Sequence, residues 1–104
     1  MTYKVSFRPE AEADVFALYQ YIAGEAGHKR AGDYIDRIEA ACMKLAIFPM
    51  RGIARDDLEP GVRMLSFESR VVILYRVEDD RVRIARLFYA GRDYKALFKR
   101  DDRK

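Results

Sequence analysis

The chain has 104 residues, half of them hydrophobic and 36% charged, the balance of a soluble single domain that can bury about two-thirds of its unfolded surface. Its single cysteine and single histidine exclude a disulfide framework and a thiolate metal cluster, and no apolar run approaches the ~20 residues of a membrane span. The net charge of +3 is unevenly placed: from Arg81 onward nine basic residues face three acidic ones, against eleven and fourteen in the first eighty, which points to an anionic partner near the C-terminal end.

In chain order, Tyr3, Val5 and Phe7 alternate with Lys4 and Ser6, a period of two that predicts a strand with one buried face. The opening MTYKVSFRPE carries no signal-peptide core, so the cytoplasm is the expected compartment. Pro9 suits a first helical turn, and Glu10 and Glu12 oppose the positive helix end. Ala11, Val15, Leu18 and Ile22 then form one apolar stripe, widened by Phe16 and Tyr19 and ended by Gly24 and Gly27. A second helix is predicted from about Lys29, with Ala31, Tyr34, Ile35, Ile38, Ala41, Cys42, Leu45 and Phe48 on its apolar face and Pro49 stopping it. The short link predicts an antiparallel helical hairpin.

The stretch FPMRGIARDDLEPG, with its prolines, glycines and charges, reads as an irregular connector. Strands follow over residues 62–67, 70–77 and 81–89. The second is apolar on both faces and belongs in the sheet centre, and the last two form a hairpin across Glu78, Asp79 and Asp80. Tyr94, Leu97 and Phe98 stand at helical spacing in a short last helix over residues 93–100. The fold class is therefore α+β: a single domain over residues 1–104 in which an N-terminal strand and a helical hairpin pack on a small, largely antiparallel sheet, with a short C-terminal helix. The sheet has a second face, and either Arg86 and Phe88 or Arg83 and Tyr89 should point to it, exposed or covered by a partner.

No set of three or four convergent metal ligands is present, and Asp56, Asp57 and Glu59 lack the spacing of a calcium loop. There is no phosphate-binding glycine loop, and Ser6, Ser66 and Ser69 have no base in a plausible register. RNA cleavage without histidine is chemically allowed: a lysine or tyrosine can accept the 2′-hydroxyl proton while arginines neutralise the phosphorane. Arg63, Arg86, Tyr89, Arg92, Tyr94 and Lys95 are the parts on offer. The same residue types also dominate protein interfaces, where guanidinium forks and amphipathic rings supply contact area and hydrogen bonds together.

From YKVSFRPEAEADV through FPMRG to RVVILYRVEDDRVRIARLFYAGRD the chain resembles the ParE branch of the RelE/ParE toxin superfamily of bacterial toxin–antitoxin systems. The pieces that carry this are FRPEAEADV at the first helix, the FP-x-R-G turn at 48–52, GVR at 61–63 and R-x-F-x-x-G-R-D at 86–93. The resemblance implies the same hairpin-on-sheet fold and a partner, an antitoxin with a DNA-binding half and a C-terminal half that wraps the toxin. It also implies one of two activities. RelE-like members cut messenger RNA on the ribosome, whereas ParE-like members inhibit DNA gyrase and are not enzymes.

Matched to the nuclease branch, Arg63 and Arg92 occupy basic positions, but Val72 stands where that branch has an arginine and Phe98 about where it has a tyrosine. Valine cannot stabilise a phosphorane and phenylalanine cannot move a proton. The expectation is a ParE-like gyrase inhibitor without catalytic residues, cofactor or metal, meeting nucleic acid only through gyrase or antitoxin. Arg63, Arg86, Tyr89 and Arg92 are expected to engage gyrase or antitoxin, and Tyr19, Tyr21 and Tyr34 to receive antitoxin anchors. A ribosome-dependent endoribonuclease is the alternative.

Overall fold

The structure is a computed structural model and describes residues 2–89 and 94–102, the last four by backbone alone. Strand β1 (Lys4–Phe7) leads into helices α1 (Pro9–Ala26) and α2 (His28–Met43), and a 3-10 turn (Lys44–Ala46) follows. Strands β2 (Ile53–Ala54), β3 (Val62–Phe67), β4 (Val71–Glu78) and β5 (Arg81–Tyr89) precede helix α3 (Tyr94–Asp102). This is the expected α+β order.

Pro9 opens α1 where no backbone donor is lost, and Glu10 and Glu12 lie in its first turn. The helix runs through Gly24 and breaks at Gly27, whose φ of 93° suits only glycine. Gly27 alone links the two helices: its N–H donates to the Ala23 carbonyl and its own carbonyl accepts from Ala31. α2 ends at Met43, earlier than Pro49 suggests, because the chain tightens into the 3-10 turn. Phe48, expected on the apolar face of α2, therefore lies beyond it and is 63% exposed.

The sheet order is β1-β5-β4-β3-β2, with the doubly apolar β4 at its centre. β1 runs parallel to β5, pairing Lys4 with Arg81 and Phe7 with Ile84, while the other pairs are antiparallel. β2 is a strand inside the segment read as irregular connector; two residues are too few to carry a period.

A register shift where Leu74 and Tyr75 face β5 puts an extra residue into that strand. Ile84 and Leu87, three apart, consequently both join the core under the hairpin with Val71, Ile73, Tyr75, Ile38 and Leu45. Ala85 and Phe88 both turn to the opposite face. No single parity describes the strand: Phe88 lies on that opposite face, while Tyr89 packs on the hairpin side.

That second face is covered by the chain itself. Phe98 of α3, 1% exposed, packs with Leu58, Val62, Leu74, Ala85 and Phe88, and Tyr94, Leu97, Met64 and Val72 border them. Arg55 ties this layer down. Its guanidinium donates to both carboxylate oxygens of Asp57 at 2.9 Å and to the Tyr94 hydroxyl at 3.0 Å.

Candidate functional site

Among the described residues, Arg63, Arg86, Tyr89 and Tyr94 do not converge on one pocket. Arg86 and Asp14 are each 17% exposed in their side chains, and the guanidinium grips both oxygens of the α1 carboxylate at 2.7 and 3.0 Å. The Leu87 N–H also donates to Asp14, at 2.9 Å. β1 pairs with β5 only as far as Ile84, where the Arg8 N–H closes the ladder. Asp14 then serves the β5 edge that β1 has left. Nothing in the spacing of residues 14 and 86 announced this pair.

Arg63 is spent on a turn. Its Nε donates to the Gly52 carbonyl at 2.9 Å and its terminal nitrogen to the Met50 carbonyl at 3.1 Å. The wholly buried Tyr75 holds the same turn from beneath: its hydroxyl accepts from the Gly52 N–H and donates to the Pro49 carbonyl, both at 2.8 Å. A Cβ on Gly52 would stand 2.6 Å from that hydroxyl and 2.8 Å from the Met64 carbonyl, so only glycine fits. This explains the FP-x-R-G motif: proline and glycine supply the two backbone groups that meet Tyr75, and Arg63 clamps the far side. The hub Tyr75 escaped the sequence reading because an alternating strand pattern does not show which aromatic carries a used hydroxyl.

Tyr19, Tyr21, Tyr34 and Tyr89 gather on the helical side. Tyr21 packs on Tyr89 with ring centroids 5.7 Å apart, and Tyr34 meets Phe67 edge-on at 5.6 Å. The Tyr19 hydroxyl and His28 Nδ1 lie 3.2 Å apart across the hairpin turn. Two clefts open here. One of about 480 Å³ is lined by Phe7, Val15, Phe16, Tyr19 and Ile35 with Glu12 and Glu39. The other, of about 470 Å³, lies between the α1–α2 turn and the β3–β4 turn and includes Tyr34, Tyr89, Arg30, Arg37, Glu68 and Arg70. Arg37 sits over the Tyr34 ring at 5.1 Å and pairs with Glu68, which holds its guanidinium protonated above the usual range. The Tyr34 hydroxyl is buried without a hydrogen-bond partner, and burial, helped by Glu68, pushes its pKa up.

Arg92 lies outside the described residues. Tyr94 stands on the α3 side of the sheet and Tyr89 on the hairpin side, so the two hydroxyls are not neighbours in one pocket. Among the described residues no group of His, Cys, Asp and Glu is placed to hold a metal ion, and no helix is long and apolar enough to cross a membrane. Cys42 is buried in the core, and desolvation pushes its thiol up to about 12, so it is no nucleophile.

A third surface was not anticipated. Ile47, Phe48, Met50 and Ile53 are 59–65% exposed and adjoin an open groove of about 660 Å³ lined by residues 47–51.

The family model described as "ParE toxin of type II toxin-antitoxin system, parDE" matches residues 5–94. Toxin ParE3 of Caulobacter vibrioides is 34% identical over 74 residues, 71% of this chain and 73% of that protein. The solved chromosomal ParDE toxin–antitoxin system from P. aeruginosa contains a chain of the same fold, with a TM-score of 0.75 at 24% identity over 85% of this chain and 96% of that one. A hairpin of helices on a β1-β5-β4-β3-β2 sheet, with that match running from the first strand into the last helix, places this chain in the ParE toxin family of type II toxin–antitoxin systems.

Proposed function

We propose that this chain is a stoichiometric inhibitor of DNA gyrase in the cytoplasm, held inactive by a cognate antitoxin and acting without catalysis. The observation that carries the reading is the dispersal, among the described residues, of the groups a nuclease would need. Arg63 is bonded to turn carbonyls and Arg86 to Asp14, Tyr89 and Tyr94 occupy opposite sides of the sheet, and Phe98 is a core residue. Proton transfer requires base, substrate and charge-stabilising groups within hydrogen-bond reach of one another. What remains on the surface is ring area and charge, the material of adhesion.

In this reading an antitoxin segment lies along the helical side, with apolar anchors beside Phe16 and Tyr19 and further contacts with Tyr21, Tyr34 and Tyr89. Arg63, Arg86 and Arg92 remain candidate contributors to the basic side, the first two through the turn and the strand edge they hold. The test is a supercoiling assay with purified gyrase beside a transcript-integrity assay on cells expressing the chain alone. Inhibited supercoiling with intact messenger RNA is expected. Cleaved transcripts with normal supercoiling would transfer the chain to ribonuclease chemistry.

A further inference from the structure

The turn held by Tyr75 and Arg63 presents an unusual combination. Single exposed apolar side chains are ordinary, but Ile47, Phe48, Met50 and Ile53 fall within seven positions and each is 59–65% exposed. Such a segment is normally mobile, since loops carry few buried contacts. Here it is fixed from within by four hydrogen bonds from one buried tyrosine and one half-buried arginine, and by a glycine that admits no side chain. Apolar knobs on a rigid support bind without the cost of ordering the loop on contact.

Charge narrows the occupant. Between residues 40 and 54 the chain has Lys44 and Arg51 and no carboxylate. Both cations are exposed, and among the described residues neither makes a salt bridge. A second copy of this chain across a two-fold axis would set these cations against their own kind, and two cations are few for a nucleic-acid backbone, whose binding grows with the number of phosphates neutralised. The fitting occupant is a protein surface offering an apolar pocket rimmed by Asp or Glu. The cleft beside Phe16 and Tyr19 has the opposite character, with Glu12 and Glu39 in its walls. The Tyr34 cleft takes its α2 residues from Arg30 to Arg37 and reaches Glu68 and Arg70 of the β3–β4 turn, whereas the loop follows α2 beyond Met43, about 9 Å of helix past Arg37.

We infer that the loop at 47–53 is a docking element of its own, through which this chain engages the protein it poisons, an acid-rimmed apolar surface, while the neutralising partner lies on the helical side. The inference rests on the toxin reading. Two variants test it, the double substitution Phe48→Ser with Met50→Ser and the single Arg51→Glu, each expressed alone and together with the antitoxin. Expected are melting temperatures close to wild type, retained co-purification with the antitoxin, and growth arrest relieved, with target inhibition weakened roughly 30-fold by the double variant, the scale of a lost interface anchor. Arrest undiminished in both variants overturns the inference, as does equal loss of arrest and of antitoxin binding in a folded protein. Should the double variant fail to fold, Arg51→Glu decides, because that side chain lies on the surface. A wild-type chain that does not arrest growth overturns the toxin reading and this inference together. Arrest without gyrase inhibition overturns only the choice of gyrase, and the loop is then judged by the same growth assay.

Discussion

Single residues here matter through the backbone groups they serve. Tyr75→Phe keeps the ring and strands the Gly52 N–H and the Pro49 carbonyl, so stability should fall by about 1–3 kcal/mol in denaturant titrations, with faster amide exchange at residues 50–53. Asp14→Ala removes three acceptor contacts, two to the Arg86 guanidinium, a side chain only 17% exposed, and one to the Leu87 N–H. A loss of about 3 kcal/mol is expected, the lower range for one-sided removal of a buried ion-pair partner, given the residual exposure. Cys42 governs alkaline behaviour. Its thiol ionises near 9.0 in the unfolded chain and only at about 12 in the core, so the unfolded state releases its proton first. Stability should be unaffected by this group below pH 9 and fall as pH rises from there towards 12, by at most about 4 kcal/mol. Cys42→Ala should flatten that decline in urea midpoints measured across the same range.

At the scale of elements, what the sequence revealed depended on how much periodicity each segment had room to show. The alternating β1, the doubly apolar β4 and the Ala11–Leu18 stripe of α1 lie where their apolar positions required, but Phe16, read as widening that stripe, is 62% exposed, since a helix packed on one side cannot bury so wide an arc. β5 defeats a parity argument, because one inserted residue brings Ile84 and Leu87 to the same side. β2 was invisible at two residues, and α2 was overextended because Pro49 marked a stop that the 3-10 turn had already made. α3 was legible as a helix, yet its role was not. The face left for a partner is filled by Phe98, since a short amphipathic helix follows the sheet in sequence and can reach it. Phe98→Ala should therefore cost about 3–5 kcal/mol, or undock α3 alone, seen as lost amide protection in residues 94–102 with β4 unchanged.

For the molecule as a whole, the candidate surfaces are built from different side chains, and their energetics should separate accordingly. Tyr34→Phe deletes a hydroxyl that has no hydrogen-bond partner, so it should leave stability unchanged or slightly raised. Combined with Tyr75→Phe in β4, whose hydroxyl serves only the 49–52 turn, the two effects should add within about 0.5 kcal/mol, measurable in one double-mutant cycle. The tyrosines of the helical side were legible as a group because aromatic residues in excess of what a hairpin can bury must appear somewhere. The exposed turn was not legible, because Phe48 read as a core residue of α2 until Met43 is known to end the helix, and Met50 and Ile53 stood in a segment read as irregular connector.

The parallel union of the first strand with the last one has a temporal meaning. A ribosome releases Lys4–Phe7 and both helices early, yet their place in the sheet exists only once Arg81–Ile84 has emerged. Closure between such distant stretches is slow compared with local pairing. The sheet thus closes only after residues 81–84 have been made, and until then the helical hairpin is out while the strand that precedes it waits for its neighbour.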